Sequence, residues 1–132
     1  MKESFFKIKN QYTEEIIFKK NLSFTGNIND LDFEFDFDNK IQKIENNKAI
    51  VKFTLNIFKE SKEYPFYISV TQTGIFEWDE QVNEYPLSID TLLNINAPAL
   101  LLSYIRSIVS QATAFSGYPS FVIPLINFNK YS

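Results

Sequence analysis

Charge is confined to the first two thirds of this chain, and that confinement restricts the fold more than any other feature. Residues 1–90 carry all sixteen acidic side chains and eleven of the thirteen basic ones, while residues 91–132 carry only Arg106 and Lys130. A charge-poor segment of this length cannot remain in water as an appendage, so it must be buried on more than one side. With 132 residues the chain suits one domain with a single core.

The charge-poor part reads as a helix followed by an extended tail. Ser88-Ile89-Asp90-Thr91-Leu92-Leu93 fits a short helix with Ser88 as N-cap and Thr91 at the third position. The main helix opens at Asn96, tolerates Pro98 in its first turn and runs through Leu100 to about Phe115. Gly117 suits a left-handed C-terminal cap, and Tyr118-Pro119 forbids continuation. The helical region thus spans about 88–116 and the proline-interrupted tail 117–132. Leu101, Tyr104 or Ile105, Ile108, Ala112 and Phe115 form one apolar stripe, and Leu102, Ile105 and Val109 carry it to a second side. A helix on one face of a monomeric sheet should show a polar half, but here that half is mostly Ser103, Ser107, Ser110 and Gln111. Either a second subunit covers it or the chain's own tail does. A small domain has little chain to spare, which favours the subunit and gives an expected interface of Leu101, Tyr104, Ile105, Ile108, Val109 and Ala112.

Strands fill residues of about 4–78. Phe5-Phe6-Lys7-Ile8-Lys9 alternates and Ile16-Ile17-Phe18 follows, which predicts one long, bulged strand up to Lys19. Asn21 to Asn29 reads as a loop. Residues 30–38 alternate without fault, setting Leu31, Phe33, Phe35 and Phe37 on one face and Asp30, Asp32, Glu34, Asp36 and Asp38 on the other. Ile50 to Phe58 is a further β-rich run, and Glu60 to Glu63 a polar turn. Tyr64 to Gly74 returns as a hairpin, with Gly74-Ile75-Phe76-Glu77-Trp78 closing the region. Asp79 to Tyr85 is a polar connection ended by Pro86. The single domain 1–132 is therefore α+β.

Composition excludes several functions. The chain has no Cys and no His, which removes disulfides, thiolate or imidazole metal sites and the base of the usual triads. Three glycines, Gly26, Gly74 and Gly117, build no phosphate-cradling loop. Neither a cofactor nor a metal is expected, and no residue stands out as catalytic. The adjacent pairs Glu14-Glu15 and Asp79-Glu80 read as solvated surface. A net charge of −3 with no basic stripe disfavours nucleic acid and membrane surfaces. Met1-Lys2-Glu3-Ser4 leads into alternation instead of an apolar leader, and the apolar run from Ala97 to Ile105 is too short to span a bilayer. A cytoplasmic location is the expectation, consistent with the absence of cysteine.

Aromatic content is the unusual quantity: 14 Phe, 7 Tyr and one Trp make 17% of the chain. Such a surplus serves an interface or client surface, or simply a Phe-rich core. The acidic row is either a solvated face that deters edge aggregation or a docking surface for a basic partner. Its opposite face, Leu31, Phe33, Phe35 and Phe37, is either core or the lining of a groove. An open groove would hold extended apolar segments by non-directional burial, at about 1.5–3 kcal/mol per fully buried Phe-sized contact. Several such contacts along one unfolded chain reinforce one another through effective concentration.

Phe6-Lys-Ile-Lys-Asn-Gln-Tyr-Thr-Glu-Glu-Ile-Ile-Phe18 resembles the first strand of SecB, the bacterial protein-export chaperone, and Gln72-Thr-Gly-Ile-Phe76 resembles the end of its fourth. More specific is Ala97-Pro-Ala-Leu-Leu-Leu-Ser-Tyr104-Ile-Arg106-Ser-Ile-Val, continuing to Gly117-Tyr118-Pro119 and Pro124-Leu-Ile-Asn127-Phe128. It is similar to the family's helix-to-tail signature. The resemblance implies a four-stranded antiparallel Greek-key sheet with the first strand beside the fourth, and long helices between the sheets of a homotetrameric dimer of dimers. It implies an ATP-independent holdase that keeps precursor polypeptides unfolded for the motor SecA. By position, client binding falls on Phe6, Ile8, Phe33, Phe35, Phe37, Phe76 and Trp78. In the motor-docking patch Glu15 keeps an acid, but Lys19, Tyr67 and Ser69 occupy the other matching positions. The sequence also ends where the family continues into a second helix and a polar extension, so client holding is better supported than delivery. A specialised chaperone protecting an antitoxin, and a structural or ligand-binding domain without chaperone function, are the alternatives.

Overall fold

Alternating burial is most regular on the strand Lys48–Ile57, where Ala49, Val51, Phe53, Leu55 and Ile57 point into the core and every intervening side chain is half-exposed. The computed structural model describes residues 6–79 and 88–131. The anticipated connection ending at Pro86, apart from Asp79, and the Met1–Ser4 start lie outside the described residues. Four strands, β1 (Phe6–Lys20), β2 (Phe35–Glu45), β3 (Lys48–Ile57) and β4 (Phe66–Trp78), form one antiparallel sheet in the order β1-β4-β3-β2. Consecutive hairpins join β2, β3 and β4, and the long connection after β1 crosses to the far edge, the Greek-key connectivity expected from the resemblance.

β1 carries two bulges, at Lys9 and at Glu14, marked by register shifts between Ile8 and Asn10 and between Thr13 and Glu15. Each extra residue flips the parity of the side chains that follow. The core-side set therefore passes from Phe6 and Ile8 to Gln11 and Thr13, and then to Ile16 and Phe18. A bulged strand was expected; its two parity changes explain why simple alternation fails between its apolar ends.

β2 begins later than its sequence alternation suggests. Ile28–Asp30 is a 3-10 turn capped by the Asn27 side chain, and Leu31 to Glu34 form an irregular lead-in. The in-out burial nevertheless persists from Leu31 through Ile41. The five carboxylates expected along one strand are thus divided, and only Asp36 and Asp38 lie on β2 itself. Polar turn chemistry at Asn27 and Asn29 outcompetes strand pairing at this end.

The two expected helices are one nearly continuous rod. α1 (Ile89–Thr91) runs through a π-helical turn (Leu92–Asn96) into α2 (Ala97–Phe115). Ser88 caps the start, accepting from the Thr91 N–H at 3.1 Å. Pro98 lacks an N–H, and its ring crowds the carbonyl four residues back, so the wider π turn immediately before it accommodates both defects. At the far end Gly117 is left-handed (φ 91°). The Gly117 N–H bonds Ala114 O and the Tyr118 N–H bonds Thr113 O, each at 3.2 Å, which completes the glycine cap.

α2 lays Ala97, Leu101, Leu102, Ile105, Val109 and Thr113 on the sheet. Gly74 on β4 permits the close approach: a Cβ there would meet Phe76 at 2.8 Å and Leu101 at 3.0 Å. Residues 118–127 then cross back without regular structure to a last 3-10 turn, Phe128–Tyr131, with Ile123 and Phe128 plugged into the core. The rod Ile89–Phe115 is long and apolar enough to cross a membrane by length and composition alone, which the shorter run read in the sequence did not reveal. One side of it is packed on the sheet.

Candidate functional site

The aromatic row at the start of β2 lies where the sheet edge, the β3–β4 loop and the tail converge. Phe33 stacks on Phe35 with ring centroids 4.9 Å apart, and Phe35 on Phe37 at 6.5 Å. The tail closes on the row from one side, with Phe121 against Phe33 at 5.7 Å and Phe128 edge-on to Phe37 at 5.2 Å. All three rings of the row are half-buried, neither sealed nor free. Beside them an open cavity of about 430 Å³ is lined by Phe33, Glu34, Phe35, Asp36, Phe58 and Lys59. Its floor is aromatic and its rim mostly acidic. β2 is an edge strand, so backbone donors and acceptors along its outer edge add to what an extended chain can use.

Other expected client residues are placed differently. Phe76 is fully buried and Trp78 is 5% exposed, because the alternation of β4 points both beneath the helix. They are core, a correction to the groove expected from the resemblance. Phe6 is half-buried and stacks on both, at 5.1 Å and 6.4 Å, while Ile8 packs against the same core. These two lie at the β1 edge, across the sheet from the β2 row.

The expected interface set also divides. Leu101, Ile105 and Val109 recur every fourth residue and are fully buried on the chain's own sheet, so they present nothing to another subunit. Ile108 and Ala112 are half-buried, and Tyr104 is 38% exposed. Leu100 also faces outward, unanticipated in the expected interface although its four-residue spacing from Tyr104 signals a shared face. Phe115 is 87% exposed, and Val122 and Leu125 of the tail are also open to solvent. The helix is therefore covered on one side by the sheet, partly by the tail, and keeps an uncovered apolar strip. Arg106, its one charge, donates from Nη2 to Pro124 O at 3.3 Å and ties the tail to the helix.

The remaining polar features serve the sheet. Gln72 is buried on the core side of β4, where Thr13 Oγ1 donates to it at 2.6 Å and its own amide donates to Gln11. On the opposite face the bulged Glu14 accepts from Thr73 Oγ1 at 2.9 Å and pairs with Lys52 at 3.0 Å. The Lys52 ammonium, then the Thr73 hydroxyl, hold the Glu14 carboxyl below the usual glutamate range. Glu34 accepts the Tyr64 hydroxyl at 2.5 Å, which pushes that phenol up. Glu15 is exposed on β1. No group of His, Cys, Asp or Glu able to hold a metal occurs among the described residues.

Residues 1–131 match the family model described as preprotein translocase subunit SecB. The chain belongs to the SecB family. Relatives include the protein-export protein SecB of Xanthomonas campestris pv. campestris, 28% identical over 89% of this chain and 72% of that protein. An uncharacterized protein of Methanocaldococcus jannaschii is 31% identical over 74% of this chain, a match that spans only 62% of the archaeal protein's length. Among solved structures, a SecB-like chaperone of Mycobacterium tuberculosis in complex with an antitoxin peptide matches with a TM-score of 0.71. That match has 10% identity and covers 92% of this chain and 90% of the other. A protein of unknown function from Streptococcus agalactiae matches at 0.55 and 13% identity, over 91% and 97%. The family and the four-stranded α+β fold expected from the sequence are both shown.

Proposed function

We propose that this chain is an ATP-independent holdase of the SecB family that binds unfolded polypeptides in the cytoplasm and acts without catalysis, as part of protein export. The observation carrying this reading is the half-buried row Phe33, Phe35 and Phe37 beside an open aromatic cleft on an edge strand. Phe6 and Ile8 at the other edge extend the apolar surface a client could touch. An unfolded segment lowers its free energy by covering these rings, and partial burial gives each contact a fraction of the 1.5–3 kcal/mol available at full burial, on the order of 1 kcal/mol. Weak contacts along one chain give retention without locking it.

A homotetramer, built as a dimer of dimers, belongs to the same proposal. Leu100, Tyr104 and Phe115, with Ile108 and Ala112 beside them and Ser107 and Gln111 interspersed, supply apolar contacts for a second copy. Protection of an antitoxin is a second reading, favoured by the fold likeness to the M. tuberculosis chaperone bound to an antitoxin peptide. Delivery to SecA has less support, since Glu15 alone retains an acid beside Lys19, Tyr67 and Ser69.

Light scattering from a chemically unfolded, aggregation-prone protein tests the holdase reading. Stoichiometric addition of this protein without nucleotide is expected to suppress aggregation. Unchanged scattering would favour a structural or ligand-binding domain.

A further inference from the structure

At the end of the β1–β4 pair where Lys20 meets Phe66, the same end of the sheet as the first cavity, a second cavity of about 370 Å³ has the opposite electrical character. Lys19, Lys20, Lys59 and Lys62 line it with Tyr64, Phe66 and Tyr67, against a single lining carboxylate, Glu60. Four of the chain's thirteen basic residues thus meet in one cleft of a protein whose net charge is −3. We propose that this cleft docks an acidic, extended segment of a protein partner, in which carboxylates alternate with aromatic or aliphatic side chains.

The arrangement of the four ammonium groups selects that occupant. Lys19 is paired with Glu60 at 3.0 Å, and Lys20 donates to Ser116 O at 2.7 Å while lying over the Tyr118 ring. Among the described residues Lys59 and Lys62 pair with no carboxylate. The charges are therefore spread round a cavity several side chains wide, which suits separate carboxylates along a peptide better than one compact anion. Between them the half-buried Tyr64 and Tyr67 offer apolar contact. Glu60 occupies Lys19 as a partner's carboxylate would, and is the group such a partner displaces.

The cleft is also preorganised. Asn21 Nδ2 donates to Tyr64 O at 2.9 Å and to Ser61 O at 3.3 Å, and the Asn21 N–H bonds Pro65 O at 2.8 Å. At the loop's start Phe58 is left-handed (φ 59°), a strained conformation for a non-glycine residue, and its ring is anchored on Tyr64 and Phe66. A loop fixed before binding loses little entropy on docking. Lys59 lines both cavities, whereas Lys19, Lys20 and Lys62 line only this one, so the proposal differs from the holdase reading in those three lysines and in a partner selected by charge.

Fluorescence anisotropy of a labelled peptide alternating Glu and Tyr, titrated with the full chain at low salt, tests it. Saturable binding is expected, weakening steeply with salt. The Lys59→Glu/Lys62→Glu variant should lose at least about tenfold in affinity, while Lys59→Arg/Lys62→Arg keeps it. Circular dichroism checks the fold, and Lys59→Gln/Lys62→Gln replaces the charge reversal if that variant unfolds. Equal binding of a peptide with Lys in place of Glu, or unchanged affinity in the folded charge-altered variant, would overturn the proposal. So would displacement of the peptide by equimolar inorganic phosphate, which would make the cleft a small-anion site.

Discussion

Glu14 shows how one inserted residue shapes a face of this sheet. As the extra residue of a bulge it turns toward Lys52 and Thr73, and both neighbours favour its charged form. A carboxyl whose folded pKa is depressed contributes stability that is fully present above its unfolded value. That contribution is lost as pH falls through the folded pKa, below the ordinary glutamate value of about 4.3. An NMR titration should place the Glu14 midpoint under that of a reference glutamate, and Lys52→Ala should return it toward the reference; an unmoved midpoint would show that the pair is not formed. In the sequence Glu14-Glu15 reads only as solvated surface, since the expected bulge could not be placed at Glu14 and nothing local discloses a lysine two strands away. Gly117 is the opposite case. Its left-handed backbone was legible because a glycine followed by Tyr118-Pro119 leaves the helix few ways to end.

Among the elements, β2 is where sequence and function meet most closely. The period-two pattern of residues 31–37 was readable, and it identified the rings that share a face. It could not disclose that the tail, with Phe121 and Phe128, returns to cover part of that face. Its cover divides the row into two kinds of residue. Phe37 packs on Phe53 and Phe128, both buried, whereas Phe33 and Phe35 line the open cleft. Phe37→Ser should therefore cost about 2–4 kcal/mol of folding stability. Phe35→Ser should cost less than about 2 kcal/mol and act chiefly on client retention. Denaturant melts with binding assays on both variants check this split, and equal stability losses would place Phe35 in the core. The same limit explains the fate of Phe76, Trp78, Leu101, Ile105 and Val109: periodicity shows that residues share a face, not which body covers it.

At the scale of the whole molecule, a sheet carries one apolar rod whose outer strip remains uncovered in the single chain. Leu100, Tyr104 and Phe115 on that strip, and Val122 and Leu125 of the tail, are large apolar side chains open to solvent in the single chain. Native mass spectrometry should therefore find four copies of the 15.5 kDa chain, with Tyr104→Glu shifting the assembly toward smaller species. A monodisperse monomer would contradict that assembly. The charge partition led to the expectation of a helix buried on more than one side; the fold places the sheet on one side and the tail partly on another, and leaves Leu100, Tyr104 and Phe115 exposed. The central claim is that rings at the β2 edge reach an unfolded chain, and site-specific photo-crosslinking tests this most directly. A benzophenone side chain replacing Phe35 should capture an unfolded polypeptide without nucleotide, while the same group replacing Tyr12, exposed on the opposite sheet face and outside both cavities, should not. Capture at Tyr12 alone, or at neither position, would contradict the account.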